Sequence, residues 1–129
     1  MSQKDVISTD RAPGPFQGAP YNQAIRVGGL VFVAGQLGIV LESGELAGST
    51  VEEQAEQLMK NMSAILEAAG SGLDKLVKTT VFLLDLADFA GMNEVYARHV
   101  GDRPPARSTI GVSQLPSGAR VEIEAIAHV

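Results

Sequence analysis

Between Thr50 and Ala69 the apolar residues Val51, Ala55, Leu58, Met59, Met62, Ile65, Leu66 and Ala69 recur every three or four positions, the spacing that lines one face of an α-helix. Both ends of this helix are marked. Thr50 with Glu53 makes a capping-box pattern, and Gly70 stands where a left-handed residue closes the last turn. A second helix is predicted from Leu86 to about Val100, with Asp85 as N-cap, Leu86, Phe89, Tyr96 and Val100 facing inward, and Gly101 as the stop. Gly91 inside it costs about 1 kcal/mol relative to alanine. Strand-like runs cover Ala24 to Val27 and Leu30 to Ala34, joined by Gly28-Gly29, a two-residue hairpin signal. Further strands are predicted at Val77 to Leu84, around Ser108 to Val112, and at Arg120 to Ala127. Ala12-Pro13-Gly14-Pro15 and Gly18-Ala19-Pro20 make the start of the chain an irregular arm.

The element order is strands, helix, strand, helix, strands, and 129 residues suit one α+β domain spanning 1–129. Two helices cover one face of such a sheet. The strands nevertheless carry apolar residues on both faces: Val77, Thr79, Val81 and Leu83 against Phe82 and Leu84, and Leu30, Phe32 and Ala34 against Val31 and Val33. A second apolar face with no helix to cover it predicts burial against another copy, hence a homo-oligomer. The competing expectation is that loops or the N-terminal arm cover it.

Charge and composition narrow the function. A net charge of -5 and ten scattered Lys and Arg residues oppose a phosphate-binding footprint, which needs clustered cations. The absence of cysteine excludes disulfides, thiolate metal sites and a cysteine nucleophile. His99 and His128 have no partner at metal-ligand spacing, so no metal is expected. Residues 1–16 hold no apolar run of signal-peptide length and Leu30 to Ala34 is too short to span a bilayer, so a cytoplasmic protein without a membrane segment is expected. No stretch reads as a phosphate-binding glycine loop.

Arg107 follows Arg103-Pro104-Pro105-Ala106, where two prolines stiffen the backbone presenting it. Its planar fork matches a small carboxylate in bidentate geometry; the plain alternative is a solvated surface ion pair. On the last strand Glu122 and Glu124 share a face with Ile126, so at least one can be partly desolvated and act as a base or hold water; the alternative is two solvated charges guarding an edge. Gly35 ends an apolar run and lets backbone approach a ligand, or makes a bulge. Tyr21, after Pro20, offers a hydroxyl to a pocket or to the structure.

Taken together, Pro20-Tyr21-Asn22-Gln23-Ala24-Ile25, Val33-Ala34-Gly35-Gln36, Val77-Lys78-Thr79-Thr80-Val81-Phe82-Leu83, Pro105-Ala106-Arg107-Ser108 and Val121-Glu122-Ile123-Glu124-Ala125-Ile126-Ala127 resemble the RidA (YjgF) family along nearly the whole chain. The resemblance implies a chorismate-mutase-like α+β fold, a homotrimer with pockets between subunits, and an enamine/imine deaminase. Its substrates would be 2-aminoacrylate, 2-iminopropionate or 2-iminobutyrate, converted to the 2-oxo acid and ammonia without cofactor. By the same resemblance Arg107 binds the substrate carboxylate and Glu122 holds the attacking water. Tyr21, Gly35 and Asn93 fall on pocket positions, and Thr109 stands where many members carry cysteine. The Gly18-Ala19-Pro20 lead-in also departs from the family's glycine-proline before the tyrosine, which predicts a different pocket rim. This chemistry requires Arg107 and Glu122 to meet in a crevice between subunits, and an Arg107 pointing away from any cavity, or a Glu122 on the far side of the sheet from it, would remove its basis. Two rival functions are a small-carboxylate-binding module without turnover and an endoribonuclease or translation inhibitor. The first would tolerate Glu122→Gln; the second requires salt-dependent RNA binding.

Overall fold

The computed structural model describes residues 3–129; Met1 and Ser2, the first residues of the expected arm, lie outside them. Six strands and two α-helices follow in the order β1 (Asp5–Ile7), β2 (Ala24–Val27), β3 (Leu30–Gln36), α1 (Val51–Ala68), β4 (Leu76–Leu83), α2 (Phe89–Val100), β5 (Ala106–Gly111) and β6 (Val121–His128). They form one mixed sheet ordered β1-β2-β3-β6-β4-β5, in which the β4–β5 pair is parallel. This is the α+β class expected, with both helices on one face.

The helix ends follow their sequence signals. Thr50 accepts the Glu53 amide while the Glu53 side chain accepts from Thr50, a complete capping box. Gly70 has φ +82°, and the amide of Ser71 reaches back to Leu66 O at 2.8 Å, closing a Schellman turn. The core between helices and sheet is built from Leu58, Met59, Ile65 and Leu66 of α1, Met92 and Val95 of α2, and Val31, Val81, Leu83, Val121 and Ile123 of the strands. Gly91 is where α2 crosses the start of α1: a Cβ there would stand 3.2 Å from Val51 Cγ1 and closer still to the Glu52 carboxylate. Close helix packing thus offsets the intrinsic cost of that glycine.

Several expectations require correction. Asp5–Ile7, read as part of an irregular arm, pairs antiparallel with β2; three mostly exposed residues are too few for a periodic signal. The rest of the arm is pinned by the buried Gln23, whose amide donates to Thr9 O, Ala12 O and Pro13 O while its carbonyl accepts the Thr9 amide. Val77, expected to share a face with Thr79, Val81 and Leu83, does not share their burial: a bulge between Leu76 and Lys78 inserts one extra residue and leaves Val77 exposed. Asp85 caps a 3-10 turn, Leu86–Asp88, rather than the α-helix itself, so α2 starts at Phe89. That turn rotates Leu86 and Phe89 outward; both are exposed, whereas Tyr96 and Val100 are buried as expected.

The sheet face away from the helices exposes Leu30, Phe32 and Ile110. Phe32 is beside Ile126 in register, so the apolar surface runs across strands. Among the described residues, no loop or arm buries these side chains.

Candidate active site

Arg107 lies on β5, at the edge of the sheet, opposite Thr79 of β4. Cross-strand partners share a face, and Thr79 is on the helix face, buried with its hydroxyl 2.6 Å from that of Tyr96 in α2. Arg107 therefore points toward α2. Its Nε donates to Thr109 Oγ1 at 2.8 Å and an Nη2 hydrogen to Asn93 Oδ1 at 2.6 Å. The guanidinium carbon stands 4.9 Å from the Tyr96 ring centroid and 5.5 Å from that of Phe89, within cation–π range. Arg11, Arg98 and Arg120 each pair with a carboxylate; among the described residues none lies within ion-pair distance of Arg107. The solvated ion pair is thus not what this arginine makes. Two of its five N–H groups are used for orientation, and among the described residues no side-chain or backbone acceptor is hydrogen-bonded to Nη1.

Glu122 lies on β6 opposite Phe82, on the face away from the helices. It is half-buried, and burial pushes its carboxyl above the usual carboxylate range, with the charge of Glu124 adding to the shift. Glu124 itself is exposed. Among the described residues no protein donor reaches the Glu122 carboxylate, so its acceptor capacity faces a cleft of about 120 Å³ that it shares with Tyr21 and Gly35. Gly35 belongs to a bulge between Val33 and Gln36 in the β3–β6 ladder. A Cβ on it would collide with Glu122 Oε2 and stand 2.9 Å from Cδ, so glycine is what leaves room for the carboxylate. The Tyr21 hydroxyl accepts the Phe16 amide at 2.6 Å, which leaves its proton available to the cleft.

The six expected site residues therefore form two clusters rather than one. Arg107, Asn93 and Thr109 stand together at the α2–β5 edge; Tyr21, Gly35 and Glu122 stand together on the opposite face of the sheet. Within one chain Arg107 and Glu122 do not meet: Glu122 is on the far side of the sheet from Arg107, and Arg107 does not line the Glu122 cleft, so a single copy fails the condition set for the chemistry and only a crevice between copies could meet it. The strand register requires this: Thr79, Arg107 and Ala125 are one cross-strand row, whereas Phe82, Glu122 and Ile110 are another, displaced by an odd number of residues along β4. The Thr109 hydroxyl accepts the guanidinium Nε–H. Sequence reasoning placed Phe89 and Tyr96 in the core and missed them as a shelf under Arg107. Their spacing with Asn93, positions 89, 93 and 96, is that of one helix face and was the available signal. Phe16, Leu37, Ile39 and Pro116, which also line the Glu122 cleft, carry no signal short of the fold.

Among the described residues no three His, Asp or Glu side chains converge to hold a metal ion, and no helix is long and apolar enough to cross a membrane.

A six-stranded mixed sheet backed by two helices, with an oriented arginine that has no carboxylate partner among the described residues at one edge and a half-buried glutamate on the other face, defines a small α+β protein with two separate polar clusters. The sequence profile of the Endoribonuclease L-PSP family matches residues 11–129. A RutC family protein of Pyrococcus abyssi is 49% identical over 125 residues, covering 97% of each chain. The human 2-iminobutanoate/2-iminopropanoate deaminase is 45% identical over 122 residues, 95% of this chain and 88% of the human protein. Among solved structures, RidA from the Antarctic bacterium Psychrobacter sp. superposes with a TM-score of 0.92 at 43% identity, covering 97% of this chain and 99% of its own. The chain belongs to this family, the RidA (YjgF) family that its motifs resemble.

Proposed function

We propose that the protein hydrolyses 2-imino acids and their 2-enamine tautomers, with 2-aminoacrylate, 2-iminopropionate and 2-iminobutyrate as the type, to the 2-oxo acid and ammonia. In this reading three copies assemble, and the Arg107 cluster of one closes over the Glu122 cleft of the next. The observation that carries it is Arg107: half-buried, oriented by Thr109 and Asn93, backed by two aromatic rings, and without a carboxylate partner. A small anion with a planar carboxylate fits that vacancy in the charge balance. The two clusters face opposite ways, so only a second copy can complete the site. A contact between two different patches can repeat around a closed ring, and the exposed apolar sheet face supplies the surface such an assembly buries.

The chemistry follows from the groups. Arg107 fixes the substrate carboxylate by paired charge-assisted hydrogen bonds and so holds the imine carbon near Glu122. The Glu122 carboxylate accepts a proton of a water molecule as its oxygen attacks the C=N carbon. The carboxyl passes that proton to the imine nitrogen, giving the neutral carbinolamine, and the carboxylate so restored takes up the C–OH proton and hands it to the amino nitrogen, an exchange its raised proton affinity suits. As that second proton reaches nitrogen the C–N bond breaks, C=O forms and ammonia leaves. No redox change occurs, and neither metal nor cofactor is required by the balance.

The test generates 2-aminoacrylate or 2-iminobutyrate in situ from an amino acid and follows its trapping as the semicarbazone against protein concentration. Wild type should lower the trapped imine, and Arg107→Ala should lose about 100-fold or more in kcat/KM, near 3 kcal/mol, with its oligomer intact. Wild-type turnover in that variant would remove Arg107 from the reading. The RNA-cleaving activity in the family's description finds no support in the Glu122 cleft, which no Lys or Arg lines.

A further inference from the structure

Tyr96 is the nearer of the two aromatic rings beside Arg107, with the guanidinium carbon 4.9 Å from its centroid against 5.5 Å for Phe89. The two rings are held differently. Phe89 is exposed and has no polar atom to fasten it, whereas Tyr96 is buried in α2 with its hydroxyl 2.6 Å from that of Thr79. Thr79 is itself buried in β4, on the face it shares with Val81 and Leu83, and is the in-register neighbour of Arg107 on β5. Arg107 therefore rests against a ring whose hydroxyl end is tied to the strand beside its own. A valine and a phenylalanine would fill the same space, and exchanging both partners of a buried hydrogen bond for apolar groups of like shape costs a fold little. What the hydroxyl pair adds is direction, since it fixes the ring along its long axis.

That direction matters because the hydrogen bonds of Arg107 to neighbouring side chains leave one motion unrestrained. Nε donates to Thr109 Oγ1 and Nη2 to Asn93 Oδ1, and these two nitrogens share one edge of the planar guanidinium. Bonds along one edge act as a hinge, about which the plane can still rock. A ring face within cation–π range blocks the rocking. It does so without cancelling the charge. Burial pushes the Tyr96 hydroxyl up, against a lowering by Thr79 and Arg107, so the phenol stays neutral, as are the Asn93 and Thr109 oxygens. A carboxylate in any of these places would hold the guanidinium as firmly and neutralise what a substrate anion needs.

We infer that Tyr96, fastened through its hydroxyl to Thr79, is a positioning residue for Arg107: it holds the guanidinium in the attitude that receives a substrate carboxylate while leaving its charge intact. The inference rests on the proposed role of Arg107 as carboxylate anchor and extends that anchor into the core between helix and sheet.

The experiment uses the assembled protein as wild type, Thr79→Val, Tyr96→Phe and Tyr96→Leu, each with Arg107 and with Arg107→Ala. It measures binding of 2-oxobutyrate by titration calorimetry, kcat/KM for 2-iminobutyrate by semicarbazone competition, and mass by light scattering. Tyr96→Leu, which removes the ring, should weaken 2-oxobutyrate binding and lower kcat/KM about 10-fold. Tyr96→Phe and Thr79→Val keep a ring but unfasten it; each should lose about 3-fold, and the two together no more than either alone. With Arg107→Ala in place none of the three should lower kcat/KM further, because their effect passes through the guanidinium. Unchanged binding and turnover in Tyr96→Leu overturn the inference. An equal loss with and without Arg107 also overturns it, making Tyr96 a residue of the fold alone. If Tyr96→Leu does not assemble, Tyr96→Phe and Thr79→Val decide, and wild-type affinity for 2-oxobutyrate in both overturns it. A wild type that binds 2-oxobutyrate but hydrolyses no imine overturns the deaminase reading only, and the variants then test Tyr96 by affinity. A wild type that does neither overturns both.

Discussion

Glu122 is the residue whose environment says most about function. Burial raises its proton affinity and Glu124 adds to the effect, so the folded state holds this proton more tightly than the unfolded chain does. For a carboxyl raised in this way, the stabilisation is fully present below the unfolded value of ~4.3 and is lost as pH rises through the folded value. At neutral pH the ionised Glu122 is therefore a destabilising group. Glu122→Gln should raise the thermal midpoint at pH 7 while lowering kcat more than it raises KM, a combination expected of a functional group and not of a structural one. On the acid side, kcat/KM should fall as Glu122 takes up its proton, at a pH above the ordinary glutamate range, and that limb should vanish in the glutamine variant. A lowered midpoint with unchanged turnover would contradict both roles. The sequence made Arg107 and Glu122 stand out by their neighbours, the prolines before one and the alternating strand around the other. It did not reveal that Asn93 holds the guanidinium, because that contact joins a strand to a helix fourteen residues upstream; Thr109, two residues along the same strand and so on the same face, was the local part of the arrangement.

Among the elements, α1 was the most legible, since its caps and its apolar stripe are local properties that the structure reproduces. Thr50→Ala should cost about 1 kcal/mol in denaturant unfolding, without change in m-value, because it removes the oxygen that accepts the Glu53 amide. A cost near zero would mean that tertiary packing alone fixes the helix start. The edges of elements were less legible where a single residue changes the phase. The bulge at Val77 reverses that side chain, the bulge at Gly35 shapes the Glu122 cleft, and the 3-10 turn at Leu86–Asp88 turns two apolar side chains to the surface. None is encoded in periodicity, because each is a break in it. Arg120 reinforces the last of these: its Nε meets Asp88 at 2.9 Å and its backbone amide donates to Gln54, tying the start of β6 to both helices.

At the scale of the whole molecule, the uncovered apolar face was legible from the two-sided strands, and the structure leaves that face open in a single chain. The division of the site into two clusters was not legible, because it depends on strand order and on the register of β4 with both β5 and β6. Phe32, exposed on the open face beside Ile126, is expected to be buried between copies. Phe32→Glu should reduce the mass by light scattering from a trimer toward the 13.5 kDa chain and reduce deaminase activity with it. A wild-type protein that runs as a monomer, or a Phe32→Glu variant that keeps the wild-type mass, would show that this face is not the assembly surface.

The division of the site between neighbouring copies is tested most directly by complementation. Arg107→Ala and Glu122→Gln chains, each inactive alone, are unfolded, mixed in equal amounts and refolded together. If Arg107 of one copy serves Glu122 of the next, about a quarter of the clefts in a randomly assorted ring receive both wild-type residues, and imine hydrolysis reappears at a matching fraction of the wild-type rate. Recovery of the mixed oligomer with no return of activity would contradict a site shared between chains.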